Sequence, residues 1–312
     1  MKNSAFFVFG SGYDYCDAMC KELKELQNCL FINSTKAGGG YKVLHNRFTN
    51  KIVGAHCFGM LVNKRHLSRT QNNHFVFFDS NPYLYNEKFL KWLRKIKNST
   101  ISVIFVNTMA TRNMRDVEYF KRNCDFIYTI DRKDAEDYGF IFWEGIHSKI
   151  EHQLQNGEKG IAYAGVAKNR GIQILQVYEA LQKLNYNCNF TVVGLENAPA
   201  GINTERIPYE QVLQEELKAN CILEICVGEQ NALTLRAIEA VLYNKYLLTN
   251  NKNIVKCRYY DARKMRILDM DRSLEEQLKD IPSEIEPYDY KGEYSPIALL
   301  IDIENRNRIK GD

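Results

Sequence analysis

The feature that most constrains this chain is a twofold alternation of short apolar runs with helix-patterned stretches. In the first 150 residues, apolar runs at 5–9, 29–33, 51–55, 74–79, 101–107 and 125–130 read as strands. Between them, 15–27 and 86–96 carry apolar residues at helical spacing, and 115–122 reads as a further helix. A second series begins at residue 160, with strands at 160–165, 189–194, 221–226 and 246–249. Its helices fall at 171–184, 208–218 and 232–243. Strands that alternate with helices in this way argue for parallel sheets covered by helices. The expected fold class is therefore α/β, with two Rossmann-like doubly wound domains facing a cleft. A polar connector, 149–159, sets the boundary, giving domains 1–150 and 151–312. The tail supplies a terminal helix to the second domain, since Ser295-Pro296 is a good helix start and 297–304 continues at helical spacing.

Several classes are set aside by the same reading. The longest apolar runs, such as Ser102 to Val106, are strand-sized and far short of a membrane span. The first ten residues lack a signal-peptide core and cleavage region, so a cytoplasmic protein is expected. The nine cysteines form no CxxC pair, and Cys16 and Cys20, four apart on an expected helix, lack nearby histidines, which argues for reduced thiols and no metal site. No cofactor and no nucleic-acid partner are expected. Residues 1–150 hold 22 Lys and Arg against 14 Asp and Glu, and the remainder holds 20 against 24. That asymmetry is either a solvated surface or a basic first half that meets an anionic acceptor or the inner face of a membrane.

The segment Gly228-Glu-Gln-Asn-Ala-Leu-Thr-Leu-Arg-Ala-Ile-Glu239-Ala reads as a polar turn feeding a helix. Donors at a helix start suit a phosphate group, and a carboxylate deeper in the helix suits a sugar hydroxyl. Thr234 lies in the first turn, where its hydroxyl or a backbone N–H can meet phosphate, or where it simply ends the helix. Arg236 and Glu239 either form an ordinary ion pair or face a ligand, and their apolar flanks argue against a solvated stripe. Upstream, Glu224 interrupts a buried-strand pattern and needs a partner, either Arg236 or Lys245. The turn Tyr163-Ala-Gly-Val-Ala-Lys168-Asn-Arg170-Gly171 presents two cations at the end of a strand. Together Lys168 and Arg170 suit a diphosphate.

In the first half, Gly10-Ser-Gly-Tyr-Asp14 follows the first strand without completing a dinucleotide-binding fingerprint. Thr35 to Gly40 lacks the order of a P-loop, because Lys36 precedes the glycines, and a flexible loop over the cleft is the better reading. His56, His66, His74 and His147 are isolated and read as structural. Asp131 and Asp134 read as caps of a short helix. Asp79, at the carboxyl end of a central strand, is the candidate general base.

Three segments resemble bacterial glycosyltransferases of the GT-B fold, in particular those of capsular or lipopolysaccharide biosynthesis. They are Asp125 to Gly139, Tyr163 to Arg170, and Ile222 to Asn251. The resemblance implies donor binding by the second domain and acceptor binding by the first. It implies phosphate contacts from Lys168 and Arg170, a ribose contact from Glu239, and no essential metal. The implied partners are a nucleotide sugar and a glycan or lipid-linked acceptor. Many retaining members carry two glutamates eight residues apart, whereas the position eight before Glu239 is Asn231. That departure favours the alternative of a non-catalytic partner subunit of a transferase.

Overall fold

The computed structural model describes residues 4–32, 62, 72–106, 114–150, 160–228 and 231–311. The chain divides into two compact units, Met1–Ser148 with Gly292–Asp312, and Lys149–Lys291. The expected strand at 51–55, the glycine-rich segment 35–40, and His56 and His66 lie outside the described residues.

In the first unit, β1 (Ser4–Phe9), β2 (Cys29–Ile32), β3 (Asn72–Phe78), β4 (Ser99–Phe105), β5 (Phe126–Thr129) and β6 (Ile141–Phe142) form one sheet. Its order is β2-β1-β3-β4-β5-β6 and every pairing is parallel. The helices are α1 (Asp14–Met19), α2 (Glu87–Leu93), α3 (Met114–Asn123) and α4 (Arg132–Tyr138). The helix expected at 15–27 is shorter, because Cys20 leaves helical geometry and a 3-10 turn, Lys21–Glu25, takes over. Asp131 caps α4 by accepting from the Asp134 amide at 3.0 Å, as its spacing suggested.

Period-two alternation places Phe7 and Phe9 on one face of β1, in register with Phe75 and Phe77 of β3. The paired rings stack with centroids 5.0 and 4.5 Å apart, and Phe89 of α2 meets Phe9 and Phe77 edge-on. Large rings bury much apolar area each, so this ladder forms the centre of the first core. The opposite face carries Phe6 and His74, stacked at 4.8 Å. Burial pushes the His74 imidazole down to about 4, against the pull of Glu304 and Asp125, so it is neutral at physiological pH.

In the second unit, β7 (Ile161–Val166), β8 (Cys188–Val193), β9 (Ile202–Asn203), β10 (Cys221–Glu224), β11 (Tyr246–Thr249) and β12 (Met265–Ile267) form a second all-parallel sheet. The order is β12-β11-β10-β7-β8-β9. Its helices are α5 (Gly171–Lys183), α6 (Tyr209–Lys218), α7 (Leu235–Leu242) and α8 (Leu274–Gln277). Ile161, Tyr163, Ile174, Val177, Leu181, Phe190 and Leu223 form part of the core beneath them.

The terminal helix α9 (Pro296–Gly311) starts where Ser295-Pro296 indicated, with Ser295 Oγ accepting from the Ile297 amide at 3.1 Å. It belongs to the first unit and not to the second, which corrects the expected boundary. Leu299, Leu300 and Ile303 of α9 are buried. Three polar pairs fix α9 on the strands: Ser4 Oγ to Glu304 Oε1 at 3.1 Å, Thr100 Oγ1 to Asn307 Oδ1 at 2.8 Å, and Tyr128 Oη to Asp302 Oδ2 at 2.7 Å. Among the described residues no helix is long and apolar enough to cross a membrane.

Candidate functional site

Both sheets reverse their winding direction once. In the second unit the reversal lies between β7 and β10, and in the first between β1 and β3. Crossovers leave in opposite directions there, which opens a crevice outside the carboxyl ends of those two strands. The residues singled out from the sequence fall at these two places.

In the second unit, β7 runs into a 3-10 turn, Lys168–Arg170, that leads directly into α5. Lys168 is exposed and holds a left-handed φ of 45°, uncommon for a residue with a side chain. Arg170 reaches across the reversal. Its Nε and Nη2 donate to the Val166 carbonyl at 3.2 and 3.1 Å, and Nη1 donates to the Ile225 carbonyl just beyond β10. A Cβ on Gly165 would come within 3.1 Å of Arg170 Nη2 and 3.0 Å of Tyr163 Oη, so the glycine lets the guanidinium lie over the strand end.

Glu224 ends β10 and is buried. Its carboxylate accepts from the hydroxyls of Thr234 and Thr249. Neither Arg236 nor Lys245, the partners expected for it, bonds to it. Lys245 instead donates to the Leu217 and Ala219 carbonyls at 2.6 Å each, neutralising the carboxyl end of α6. Burial raises the Glu224 carboxyl, while the two hydroxyls pull it back. Thr234 is the N-cap residue of α7, yet its hydroxyl is turned to Glu224 and does not accept from the helix amides. The first N–H groups of α7, which follows the end of β10, thus receive no cap from the Thr234 side chain. Beside it, Asn231 Oδ1 accepts from Asn253 Nδ2 at 3.2 Å, and Asn250 Oδ1 accepts from the Cys226 amide at 2.6 Å.

One turn deeper, α6 and α7 share a buried acidic cluster. Arg236 Nε lies 3.6 Å from Glu216 Oε1, with the arginine side chain 23% exposed and the glutamate 2%. Glu239 is fully buried and accepts from the Tyr209 hydroxyl. Burial first, and then the Glu239 carboxylate, push Glu216 well above the usual carboxylate range, more than Arg236 pulls it down. The ribose contact implied for Glu239 therefore meets a carboxylate closed inside the helix pair. The pairing of Arg236 is with Glu216 across helices and not along its own helix.

In the first unit, Asp79 follows β3 and is buried, with Oδ1 accepting from the Ser80 amide at 2.9 Å. Asn81 Nδ2 donates to the Gly10 carbonyl at 2.6 Å, tying the turn after β3 to the turn after β1. Tyr85 Oη donates to the Asp79 carbonyl at 2.9 Å. Burial, followed by the Asp79 carboxylate, raises the Tyr15 phenol. His147, buried, has Nδ1 2.7 Å from the Ser148 carbonyl and is structural, as its isolation suggested.

No protein-family model matches the sequence, and no curated protein matches it. Among solved structures, the chain is similar to a UDP-N-acetylglucosamine 2-epimerase from Rickettsia bellii. The two share 10% identity over 98% of this chain and 96% of that one, with a TM-score of 0.55. The architecture is of the GT-B type. Two further similar structures are an alpha-glucosyltransferase in complex with UDP and a 13-mer DNA containing a central A:G mismatch, and the glycotransferase of kitacinnamycin. The first shares 9% identity over 84% of this chain and 81% of that one, with a TM-score of 0.49. The second shares 8% identity over 88% of each chain, with a TM-score of 0.43.

Lys168, Arg170, Asn231 and Thr234 therefore gather around the ends of β7 and β10. Arg236 and Glu239 lie beneath them, and Asp79 lies in the other unit. Sequence reasoning passed over Tyr209 and Glu216. The signal was present, since Tyr209, Leu213, Glu216 and Leu217 form one buried stripe of α6, and a glutamate in such a stripe requires a partner.

Proposed function

We propose that this chain is a glycosyltransferase that moves a sugar, a hexose in the simplest case, from a nucleotide-sugar donor to a surface-glycan or lipid-linked acceptor without a metal ion. The reading places it with transferases of capsular or lipopolysaccharide assembly. One observation carries it: Lys168, Arg170 and the start of α7, uncapped by a side chain, lie at the reversal point between β7 and β10. Two cations and helix N–H groups at that point suit a diphosphate. They would also stabilise the charge that develops on a departing nucleotide. In this reading Asn231 and Thr234 border the donor, while Arg236 and Glu239 hold α7 from below. Asp79 would accept the proton of the attacking hydroxyl.

A second reading is favoured by the likeness to the epimerase over nearly the whole of both chains. An epimerase would convert a nucleotide sugar with no acceptor present, and a transferase would not. The first test is thermal stabilisation by UDP-, GDP-, CMP- and dTDP-linked sugars, with and without EDTA. Ligand present at about 100 times its dissociation constant adds about 2.7 kcal/mol, which such a scan resolves. Stabilisation by one nucleotide class that survives EDTA is expected. Silence across all four sinks the donor site, and a shift abolished by EDTA sinks metal independence.

A further inference from the structure

The two reversal points carry opposite chemistry. The crevice of the second unit is bordered by Lys168 and Arg170. The turns at the first unit's reversal, residues 10–15 and 79–86, contain no lysine or arginine, and they hold Asp14 and Asp79 instead. A diphosphate or other anion finds no counter-charge in these turns.

What they do hold is aromatic surface. Tyr13, in the turn after β1, is 48% exposed, and Tyr85, in the turn after β3, is 46% exposed. Both rings are held in place. Tyr13 stacks on Tyr15 with centroids 5.3 Å apart and planes 9° apart. Tyr85 is anchored through its hydroxyl to the Asp79 carbonyl and packs edge-on against Phe120 at 5.8 Å. The Asn81–Gly10 bond joins the two turns that carry these rings. Fixed rings lose little conformational freedom on binding, and their exposed faces match the C–H faces of a pyranose. Backbone groups of the two turns match its hydroxyls.

We infer that the turns after β1 and β3 form a binding site for an uncharged sugar ring, stacked on Tyr13 and Tyr85. The inference rests on the transferase reading in that it names the acceptor's chemical class as a neutral glycan. The ring that is recognised, and not a lipid chain or a phosphate attached to it, provides the affinity.

The test is saturation-transfer NMR on the full chain with methyl β-glucopyranoside, methyl β-galactopyranoside, methyl N-acetyl-β-glucosaminide and octyl β-glucopyranoside below its micelle concentration. At least one methyl glycoside is expected to receive saturation at its ring protons. Tyr13→Ala and Tyr85→Ala should each cut that signal at least about fivefold, roughly the loss of one stacking contact. Tyr13→Phe, which keeps the ring, should retain it and serves as the control for folding. Silence from every methyl glycoside, or signals unchanged in both alanine variants, overturns the inference, as does a response from the octyl compound alone. The donor site is read separately by thermal stabilisation with the four nucleotide classes in the same variants. Sugar binding without a response to any of the four leaves this site standing and removes the transferase reading, while the reverse result does the opposite.

Discussion

Arg170 offers the sharpest test of how the second unit builds its reversal point. Arg170→Ala removes three N–H···O=C bonds, two to Val166 and one to Ile225. Hydrogen bonds from a charged donor contribute about 1.5–3 kcal/mol each when well shielded. The two bonds to Val166 share one acceptor and face solvent, so together they are worth about 0.5–1 kcal/mol. The half-buried link to Ile225 supplies about 1.5–2 kcal/mol, for a total of about 2–3 kcal/mol. In a unit of this length, that lowers the melting temperature by about 4–12 °C. Arg170→Lys should not restore it, because an ammonium group cannot span two carbonyls as the guanidinium fork does.

Differential scanning calorimetry reads this directly. An alanine variant that melts within about 1 °C of the parent, or full rescue by lysine, refutes the clamp. UDP titration below the melting transition then separates scaffold from ligand contact. In the proposed donor site the guanidinium also meets the diphosphate, so the variant should bind UDP about tenfold more weakly. Lost stability with unchanged UDP affinity makes Arg170 a scaffold residue only.

Two other predictions concern buried polar groups. Glu216 has a raised carboxyl in the folded protein, so it stabilises the fold below the unfolded value near 4.5, and that contribution is lost as pH rises toward the folded value. Glu216→Gln should therefore match the parent near pH 5 and exceed it at pH 8 in urea unfolding; a variant less stable at pH 8 than at pH 5, relative to the parent, contradicts this. Ile303→Ala empties a fully buried position of α9 and should cost about 2–4 kcal/mol. Hydrogen exchange should quicken in β1, β3 and β4, and quickening in β7 and β10 instead would place α9 with the second unit.

The alternation of apolar runs was enough to reveal the neighbourhoods of nine of the described strands, because parallel strands buried on both faces carry the pattern in their own residues. Elements such as β6 and β9, two residues each, carry too few side chains for any pattern. The place of α9 was not legible either. Its apolar spacing marks a helix, but nothing in the spacing says which sheet it covers, and the chain returns to the first unit only in three dimensions. At the candidate site, cations on turns and a helix start were readable from local sequence. Partner choice was not: Glu224 takes two hydroxyls and Arg236 crosses to α6, choices fixed by which helices lie side by side.

The contrast between the two units follows from where their charges are spent. In the second unit three buried acids are turned inward. Glu224 is held by Thr234 and Thr249, Glu239 by Tyr209, and Glu216 lies against Arg236. With those carboxylates engaged below the surface, Lys168 and Arg170 lie at the strand ends, and the start of α7 adds its partial positive charge beside them. The first unit has the same parallel topology and the same kind of reversal, but Asp79 and tyrosine rings occupy its turns. Shared topology supplies two crevices. In the proposed reading, side chains on four short turns make one suited to an anion and the other to an uncharged ring, as a charged donor and a neutral acceptor would require.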